Sequence, residues 1–352
     1  MWVRHIPLSI GNDACLDSAT TYYIESMMSF LSPSDASQQR ACVAGSKALR
    51  CLREAVTYHT KDDDPSQLLL TIALHRYAEI VEAMIQGRDS LFDTQGPYLA
   101  SPSMNGIKDA LLALQDLYVR IARLVRLVRA AGQCEARPHD TTLEAFTLAE
   151  SLHASSAETC ILQALAEEVT SLRPRTAHNT LLPLCLDGEA HDFRSLEGYI
   201  LATQYWAYRI LLCGLLDHLL SNHWPPPANL SNVTLEGIRS LQMDAAINVA
   251  KSVPYALGLS HAHPVRAVRL RLALQVAYGV WCRLERRQRS QTAPDYDLAV
   301  EMKQWTLETL ARIDALWGFE EDIQHDSLER ACEAAAGGML WQDDLMRWRD
   351  CR

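Results

Sequence analysis

The chain has 352 residues, of which 48% are hydrophobic and 22% are charged, a balance that excludes wholesale disorder. It is acidic, with 43 Asp and Glu residues against 33 Lys and Arg residues and a net charge of −10. Because duplex binding draws most of its affinity from cationic contacts with phosphates, we expect no direct nucleic-acid partner.

Helical periodicity runs along the whole chain, and no segment alternates convincingly with the period of a strand. We therefore predict an all-α fold, a single large helical bundle of about ten helices that forms one domain over residues 1–352. In chain order, the predicted helices cover about 15–30, 37–58, 65–86, a long segment ending near 129, a segment opening at 141, then 193–222, 235–257, 264–289, 295–317 and 327–349.

Local signals set several of these boundaries. Asp64 precedes Pro65, which is typical of a helix N-cap followed by proline in the first turn. The pattern Thr141-x-x-Glu144 predicts a capping box. A Gly- and Pro-rich loop is expected over 87–103 and a turn segment over 173–191, and the prolines of 224–227 predict a firm helix stop.

The cysteines and the apolar segments both favour an intracellular protein. Ten cysteines contain no C-x2-C pair, so we expect neither a zinc site nor a thioredoxin-like motif, but reduced thiols that fill the core. The N-terminal sequence has no signal-peptide core. Segment 199–220 is the most apolar, yet Gln204, Arg209 and Asp217 interrupt it, which favours a buried helix over a membrane span. We predict a cytoplasmic protein without a membrane partner.

Two stretches resemble a known family, and the first of them carries two motifs. Ser46-Lys-Ala-Leu-Arg-Cys-Leu52 is similar to the Tyr/Ser-x-x-Ala-Leu-x-x-Leu helix of the fungal-specific transcription factor domain, and Tyr77-Ala-Glu79 to its aromatic-x-Glu helix. The sequence SLEGYILATQYWAYRILLCGLLDHLL over 195–220 resembles its buried Trp-containing helix. Regulators of that family carry an N-terminal six-cysteine zinc cluster, which this sequence does not contain. We therefore expect either a truncated regulator or a protein that reuses the fold.

One such reuse is found in divergent humulene synthases of fungal tropolone-sesquiterpenoid pathways, which are all-α and lack the Asp-rich motifs of ordinary terpene cyclases. Resemblance to them implies a fungal secondary-metabolism enzyme that cyclises farnesyl diphosphate, with Mg²⁺ as cofactor and an essential lysine, to a hydrocarbon such as humulene. Its partner would be a small-molecule prenyl diphosphate, and a homodimer is left open. Two alternatives remain: a nuclear regulator or co-regulator without its DNA-binding module, and a non-catalytic small-molecule sensor or scaffold.

The candidate site lies in the predicted helix 235–257. At 100° per residue, Asp244, Asn248 and Lys251 share one face, with Ser252 at its edge. Carboxylate and amide oxygens are suitable Mg²⁺ ligands, and an ammonium group can bind a diphosphate. We predict Asp244 and Asn248 as metal ligands and Asn248 with Lys251 as diphosphate-binding residues. The humulene-synthase resemblance implies that Lys251 is the essential lysine. The alternative is a solvated polar face that ends in a lysine.

Two further groups extend this prediction. One helical face carries His75, Glu79, Glu82 and Gln86, and Glu79 could supply another metal-binding carboxylate from it. The alternative is an exposed polar stripe on an amphipathic helix. Aromatic faces attract cations and could shield a carbocation, whereas the alternative role of the same side chains is to fill the core. The predicted substrate pocket comprises Tyr205, Trp206, Tyr208, Ile247 and Tyr255.

Overall fold

The computed structural model describes residues 14–31, 35–58, 65–93, 106–133, 138–172, 186, 189–222, 233–258, 264–288, 295–316 and 325–336. The chain divides into two compact units, Met1–Gly96 and Pro97–Arg352. Helices account for nearly all described residues, so the all-α prediction is confirmed. That the whole chain forms one domain stays a prediction.

The described part of the N-terminal unit contains three helices, α1 (Ala14–Leu31), α2 (Asp35–Tyr58) and α3 (Pro65–Gln86). α1 packs against both of the others. Small residues make this packing close. A Cβ atom at Gly45 of α2 would lie 2.8 Å from Cε2 of Tyr22, so the two helices approach here because residue 45 has no side chain. Tyr22 and three alanines form the local core: Ala44, Ala48 and Ala78.

The first half of the C-terminal unit surrounds one helix. It contains α4 (Ile107–Gln133), α5 (Pro138–His153), α6 (Ser156–Glu168) and α7 (Leu196–Asn222). Most residues of α7 are buried, because α4, α5 and α6 pack against it, and helices from the second half cover its remaining faces. A helix that is apolar on every side is expected at such a central position. The prediction of a buried helix over 199–220 is confirmed.

The second half of this unit comprises α8 (Leu235–Lys251), α9 (Val253–Gly258), α10 (Pro264–Gln288), α11 (Asp295–Leu316) and α12 (His325–Ala335). α10 packs against α7, α8, α11 and α12. Arg271 of α10 binds the carboxylate of Asp314 of α11 with two nitrogens, at 2.7 and 3.2 Å. This two-point geometry fixes the relative orientation of the two helices.

A small antiparallel hairpin was not predicted. Strand β1 (Val169–Leu172) pairs with β2 (Ala190–Phe193), with Ser171 opposite His191. The sequence pattern predicts a turn segment over 173–191 and a helix that begins at Phe193. Strands of four residues are too short for alternation to be recognised against helical neighbours, which explains the error.

Two helix starts differ from the predicted ones. α7 begins at Leu196 because the hydroxyl of Ser195 accepts a hydrogen bond from the Gly198 amide at 2.9 Å and so caps the first turn. α5 begins at Pro138, in the first-turn position that proline favours. The capping box predicted at Thr141 is therefore wrong: both of its residues lie inside the helix, and Glu144 binds Arg123 at 2.7 Å.

Two predicted helices are each divided in the structure. The helix that opens near 141 becomes α5 and α6, separated at Ser155, whose hydroxyl accepts from the Ala157 amide. The predicted helix 235–257 ends at Lys251, and α9 follows after Ser252. Asp64, the prolines of 224–227 and the segment 337–349 lie outside the described residues.

Three of the described cysteines are free thiols in the core, as the prediction of reduced, core-filling thiols requires, whereas Cys42 is exposed and departs from it. Cys213, Cys282 and Cys332 are buried, and burial raises the pKa of each thiol. Raised pKa values keep these groups protonated and unreactive at neutral pH.

His75 is a buried titratable residue of the N-terminal unit. It is 4% exposed, and its ring lies edge-on to that of Tyr22 at 5.1 Å. Among the described residues, neither of its ring nitrogens has a hydrogen-bond partner. Burial lowers the pKa of His75, and the opposing effects of its own backbone, Glu79 and Glu82 are smaller.

This environment predicts a pH-dependent stability. The pKa of His75 is lower in the folded than in the unfolded chain, so the unfolded chain binds the additional proton first as the pH falls. The free energy of unfolding therefore decreases below about pH 6.5. We expect His75→Phe to raise the free energy of unfolding of the N-terminal unit by about 1 kcal/mol at neutral pH. The gain should be larger near pH 5.5. Urea denaturation at both pH values measures the two differences, and equal differences would contradict the prediction.

Candidate functional site

Two of the predicted polar site residues face the unexpected hairpin. Oδ1 of Asn248 lies 3.0 Å from Nε2 of His191 in β2. Nζ of Lys251 lies 2.9 Å from Oε2 of Glu189, immediately before that strand. We name this region the α8–β2 cluster and define it by eight residues: Glu189, His191, Phe193, Tyr199, Trp206, Asn248, Lys251 and Tyr255.

The end of α8 positions the polar half of the cluster. Lys251 is the last residue of the helix, where a cation interacts favourably with the partial negative charge of the terminal carbonyl groups. Ser252 is fully buried, and its hydroxyl donates to the carbonyl oxygen of Asn248 at 2.9 Å. Ser252 therefore stabilises the end of the helix.

Aromatic rings form the other half of the cluster. The His191 ring stacks on Trp206, with centroids 5.2 Å apart and an interplanar angle of 27°. Phe193 lies edge-on to Tyr199 at 5.2 Å and to Tyr255 at 4.9 Å. Trp206 and Tyr255, which were predicted for the substrate pocket, thus belong to one continuous set of rings.

The protonation state of His191 follows from its surroundings. Burial lowers its pKa, and Lys251 lowers it further, against the opposing effects of the Asn248 hydrogen bond and Glu189. The imidazole is therefore neutral at neutral pH. Since the amide oxygen of Asn248 accepts, the ring proton lies on Nε2 and Nδ1 carries a lone pair. Nδ1 is inaccessible to solvent and has no hydrogen-bond partner among the described residues.

The two predicted magnesium ligands of α8 could supply only part of the coordination of a metal ion. Asp244 is exposed and lies one turn before Asn248 on the same helix. The structure shows no group of three or more His, Cys, Asp or Glu side chains suited to a metal ion within its described ranges. A carboxylate and an amide oxygen fit Mg²⁺ only when phosphate oxygens and water complete its coordination. Ile247, between them in sequence, is half-buried.

Glu79 lies in the N-terminal unit and already has several protein partners. It is 1% exposed and accepts hydrogen bonds from Arg88 at 2.6 Å, from the Leu91 amide at 2.8 Å and from the Ser90 hydroxyl. These contacts neutralise and solvate a buried carboxylate without a metal. The alternative of an exposed stripe is wrong for both Glu79 and His75, and metal binding by Glu79 stays a prediction.

Tyr205 and Tyr208 lie on a different side of α7 from Trp206. The Tyr205 hydroxyl donates to Glu158 of α6, which also binds Arg209 at 2.9 Å. The Tyr208 hydroxyl donates to the carbonyl oxygen of Leu152 in α5 at 3.3 Å. Adjacent helical residues point about 100° apart, so the four predicted pocket aromatics divide between two environments.

Glu168 fixes the hairpin to the start of α7. Its carboxylate accepts from the hydroxyl of Ser195 at 2.7 Å, and its backbone carbonyl accepts from the Arg194 amide at 3.0 Å. Because β1 follows Glu168 directly and β2 directly precedes Arg194, these bonds hold the two strand ends together. The position of His191 therefore depends on Glu168.

The sequence patterns did not indicate four residues of the cluster: Glu189, His191, Phe193 and Tyr199. Their identification required recognition of β2, in which residues two apart share a face. His191 and Phe193 have that spacing, and it is the one sequence signal that could have placed them together. Their ring centroids lie 6.3 Å apart in the structure.

No protein-family model, curated protein or solved structure matches this chain. None of the described helices is both long enough and apolar enough to cross a membrane. An interpretation of function therefore depends on the chemistry of the α8–β2 cluster.

Close packing at Gly198 gives a test of how the cluster is supported. A Cβ atom at this position would clash with the Glu168 carboxylate and lie 2.8 Å from the Cβ of Glu168. We expect Gly198→Ala to lower the free energy of unfolding by about 1–3 kcal/mol, because the Glu168 side chain must move. Ser195→Ala, which removes both the cap and the hydrogen bond to the Glu168 carboxylate, should cost about 1–3 kcal/mol. Chemical denaturation measures both; wild-type stability of Gly198→Ala would show that this packing is unimportant.

Proposed function

We propose that this chain binds a prenyl diphosphate at the α8–β2 cluster and cyclises it, with farnesyl diphosphate as substrate and a cyclic hydrocarbon such as humulene as product. One observation carries the proposal: an ammonium group and an amide lie beside a continuous set of aromatic rings. A diphosphate would bind to the ammonium and amide groups, and an unsaturated hydrocarbon chain would pack against the aromatic rings.

Lys251 is suited to the diphosphate. Its side chain is 20% exposed, and its partner Glu189 is 40% exposed. An ion pair with one carboxylate so open to solvent is weak, since water screens the attraction. A diphosphate carries more negative charge than a carboxylate and could replace Glu189. Lys251 would then stabilise the charge that develops on the departing diphosphate.

Magnesium would be held by Asp244 and Asn248 together with the diphosphate. When bound, Mg²⁺ would neutralise negative charge on the leaving group. Asp244 is exposed and therefore accessible to a cation from solvent. Oδ1 of Asn248 already accepts from His191, but an amide oxygen has two lone pairs and retains one for a second interaction.

The aromatic rings are suited to the hydrocarbon chain and to the cation formed from it. Trp206 and Phe193 are buried, and Tyr255 is half-buried at their edge. The negative faces of such rings stabilise a nearby cation. Exclusion of water by the same rings delays capture of the cation, which a cyclisation requires.

A second candidate function is that of a ligand-responsive regulator or sensor without catalysis. Lys251 and Asn248 already have protein partners, and the rings pack against each other. A ligand that displaces these contacts would alter the arrangement of β2, α8 and α9, which is how a sensor responds to its ligand. With a net charge of −10, such a regulator is expected to act without direct contact to duplex DNA.

The two functions are separated by incubation of the purified protein with farnesyl and geranylgeranyl diphosphate, with and without Mg²⁺. We expect gas chromatography of organic extracts to show a cyclic hydrocarbon that depends on both protein and Mg²⁺. Binding of either diphosphate without any hydrocarbon or terpene alcohol would contradict the cyclase proposal and favour the sensor.

Lys251 and Lys303 provide a matched pair of variants. Lys303 is 25% exposed and binds Glu285 at 3.0 Å, so it matches Lys251 in exposure and in having a carboxylate partner, although Glu285 is 9% exposed and Glu189 is 40% exposed. We expect Lys251→Ala to lower kcat by about 10²–10³-fold, the size of effect seen when a group that stabilises transition-state charge is removed. Lys303→Ala should retain turnover. Circular dichroism of both variants checks folding, and equal losses of activity would contradict the role of Lys251.

A further inference from the structure

One face of α2 is open to solvent and carries a groove of about 480 Å³. The groove is mainly apolar, and Val43, which lines it, is 64% exposed. A single exposed valine is ordinary, but an apolar groove with a charged rim is typical of a surface that binds another protein. Six residues of α2 line the groove: Gln39, Cys42, Val43, Ser46, Lys47 and Arg50.

The charged residues of this groove are cations. Lys47 and Arg50 follow Val43 by four and seven residues, so all three share one face of the helix. Both cations are exposed, and neither makes an ion pair with a residue that the structure describes. Arg53 lies at the edge of the same face, and the exposed Glu54 follows it. From its N-terminal to its C-terminal end, this face therefore presents a valine, then cations and finally an anion.

An exposed face of α11 carries the opposite charges in the same order. Val300 is 42% exposed, and the exposed Asp297 precedes it on this face. Glu301 and Glu308 follow, both exposed, and neither pairs with a cation in the described part of the chain. The exposed Arg312 ends the face one turn later. A valine is thus followed by anions and finally by a cation.

We infer that these two faces bind each other between two copies of this chain, with α2 of one copy beside α11 of the other. The occupant of the α2 groove is then the apolar and acidic face of α11. Val43 of one copy packs against Val300 of the other, so both valines leave solvent. Lys47 and Glu301, which lie beside the two valines on their helices, form an ion pair at this contact.

A parallel arrangement of the two helices also matches the remaining charges. With the valines level and a rise of about 1.5 Å per residue, Arg50 lies about 10.5 Å along its helix and Glu308 about 12 Å along the other. Glu54 and Arg312 are level in the same way, at about 16.5 and 18 Å. The antiparallel arrangement places Glu54 beside the valine of α11 and Arg312 beside the valine of α2, which leaves both charges unmatched.

The contact joins two different surfaces. One contact leaves an α2 face open on one copy and an α11 face open on the other, so a second contact either closes a pair or adds a further copy. Each exposed ion pair contributes little by itself, and salt screens it. The association is therefore reversible and strongest at low ionic strength.

Sedimentation velocity of the purified full chain measures this association, with charge-reversal variants of each face. One variant carries Lys47→Glu with Arg50→Glu, and the other carries Glu301→Lys with Glu308→Lys. Each variant has two faces of the same sign, which repel. We expect wild-type protein to associate in about 0.05 M NaCl and about 10-fold or more weaker association in about 0.5 M NaCl. Each variant alone should associate about 10-fold or more weakly than wild type.

A mixture of the two variants is the decisive sample. The acidic α2 face of the first variant matches the basic α11 face of the second, and the unaltered faces match each other, so the mixture should associate as wild type does. Recovery in the mixture also shows that both variants are folded. Lys108→Glu with Arg194→Glu is the matched control, because it reverses two exposed cations outside both faces and should leave association unchanged.

Every other result overturns the inference. Wild-type protein that stays monomeric at low salt would exclude a second copy and leave the α2 groove to a different protein. Wild-type association of either variant alone would place the contact elsewhere on the chain. A mixture that fails to associate, although circular dichroism shows both variants to be folded, would refute the pairing of α2 with α11. None of these results depends on whether the chain is a cyclase.

Discussion

The C-terminal unit is organised by the burial of α7 on every face, which means that each polar group on this helix must find a partner in a neighbouring element. Arg209 binds Glu158 of α6, and Asp217 binds arginines of α8 and α10. An unpaired charge at these positions would cost several kcal/mol, by the usual range of about 3–5 kcal/mol for breaking a buried pair. The apolar surface of α7 provides the driving force for packing, and these few polar contacts determine which helix lies on which side.

Much of this architecture follows from periodicity. The central helix was predicted because an apolar stretch interrupted by Arg209 and Asp217 cannot lie in lipid and must be buried. The hairpin could not be predicted in the same way. Its strands have four residues each, and they are held by the contact between Glu168 and Ser195, which lie 27 positions apart in the chain. Contacts between residues so far apart in sequence leave no local pattern.

The candidate site shows the same difference between residues that a local pattern identifies and residues that only long-range contacts bring together. Asn248 and Lys251 were identified together because helical geometry alone places them on one face. Their partners His191 and Glu189 lie 57 and 62 residues earlier, so no spacing rule connects them to α8. Aromatic residues show the opposite problem: Tyr205 and Trp206 are adjacent in sequence, yet the helix directs them toward different neighbours. A cluster of rings in a sequence therefore indicates a pocket only when the orientation of its helix is known.

The pairing of Asp217 with two arginines has an evolutionary consequence. Its carboxylate binds Arg239 of α8 at 2.8 Å and Arg287 of α10, so one residue of the central helix links two others. Replacing Asp217 alone would remove the carboxylate that Arg239 and Arg287 share, and replacing either arginine would leave a half-neutralised carboxylate in the core. Any lineage that alters this triad must pass through a less stable intermediate or change several positions together. Relatives of this chain should therefore retain all three residues or have lost all three.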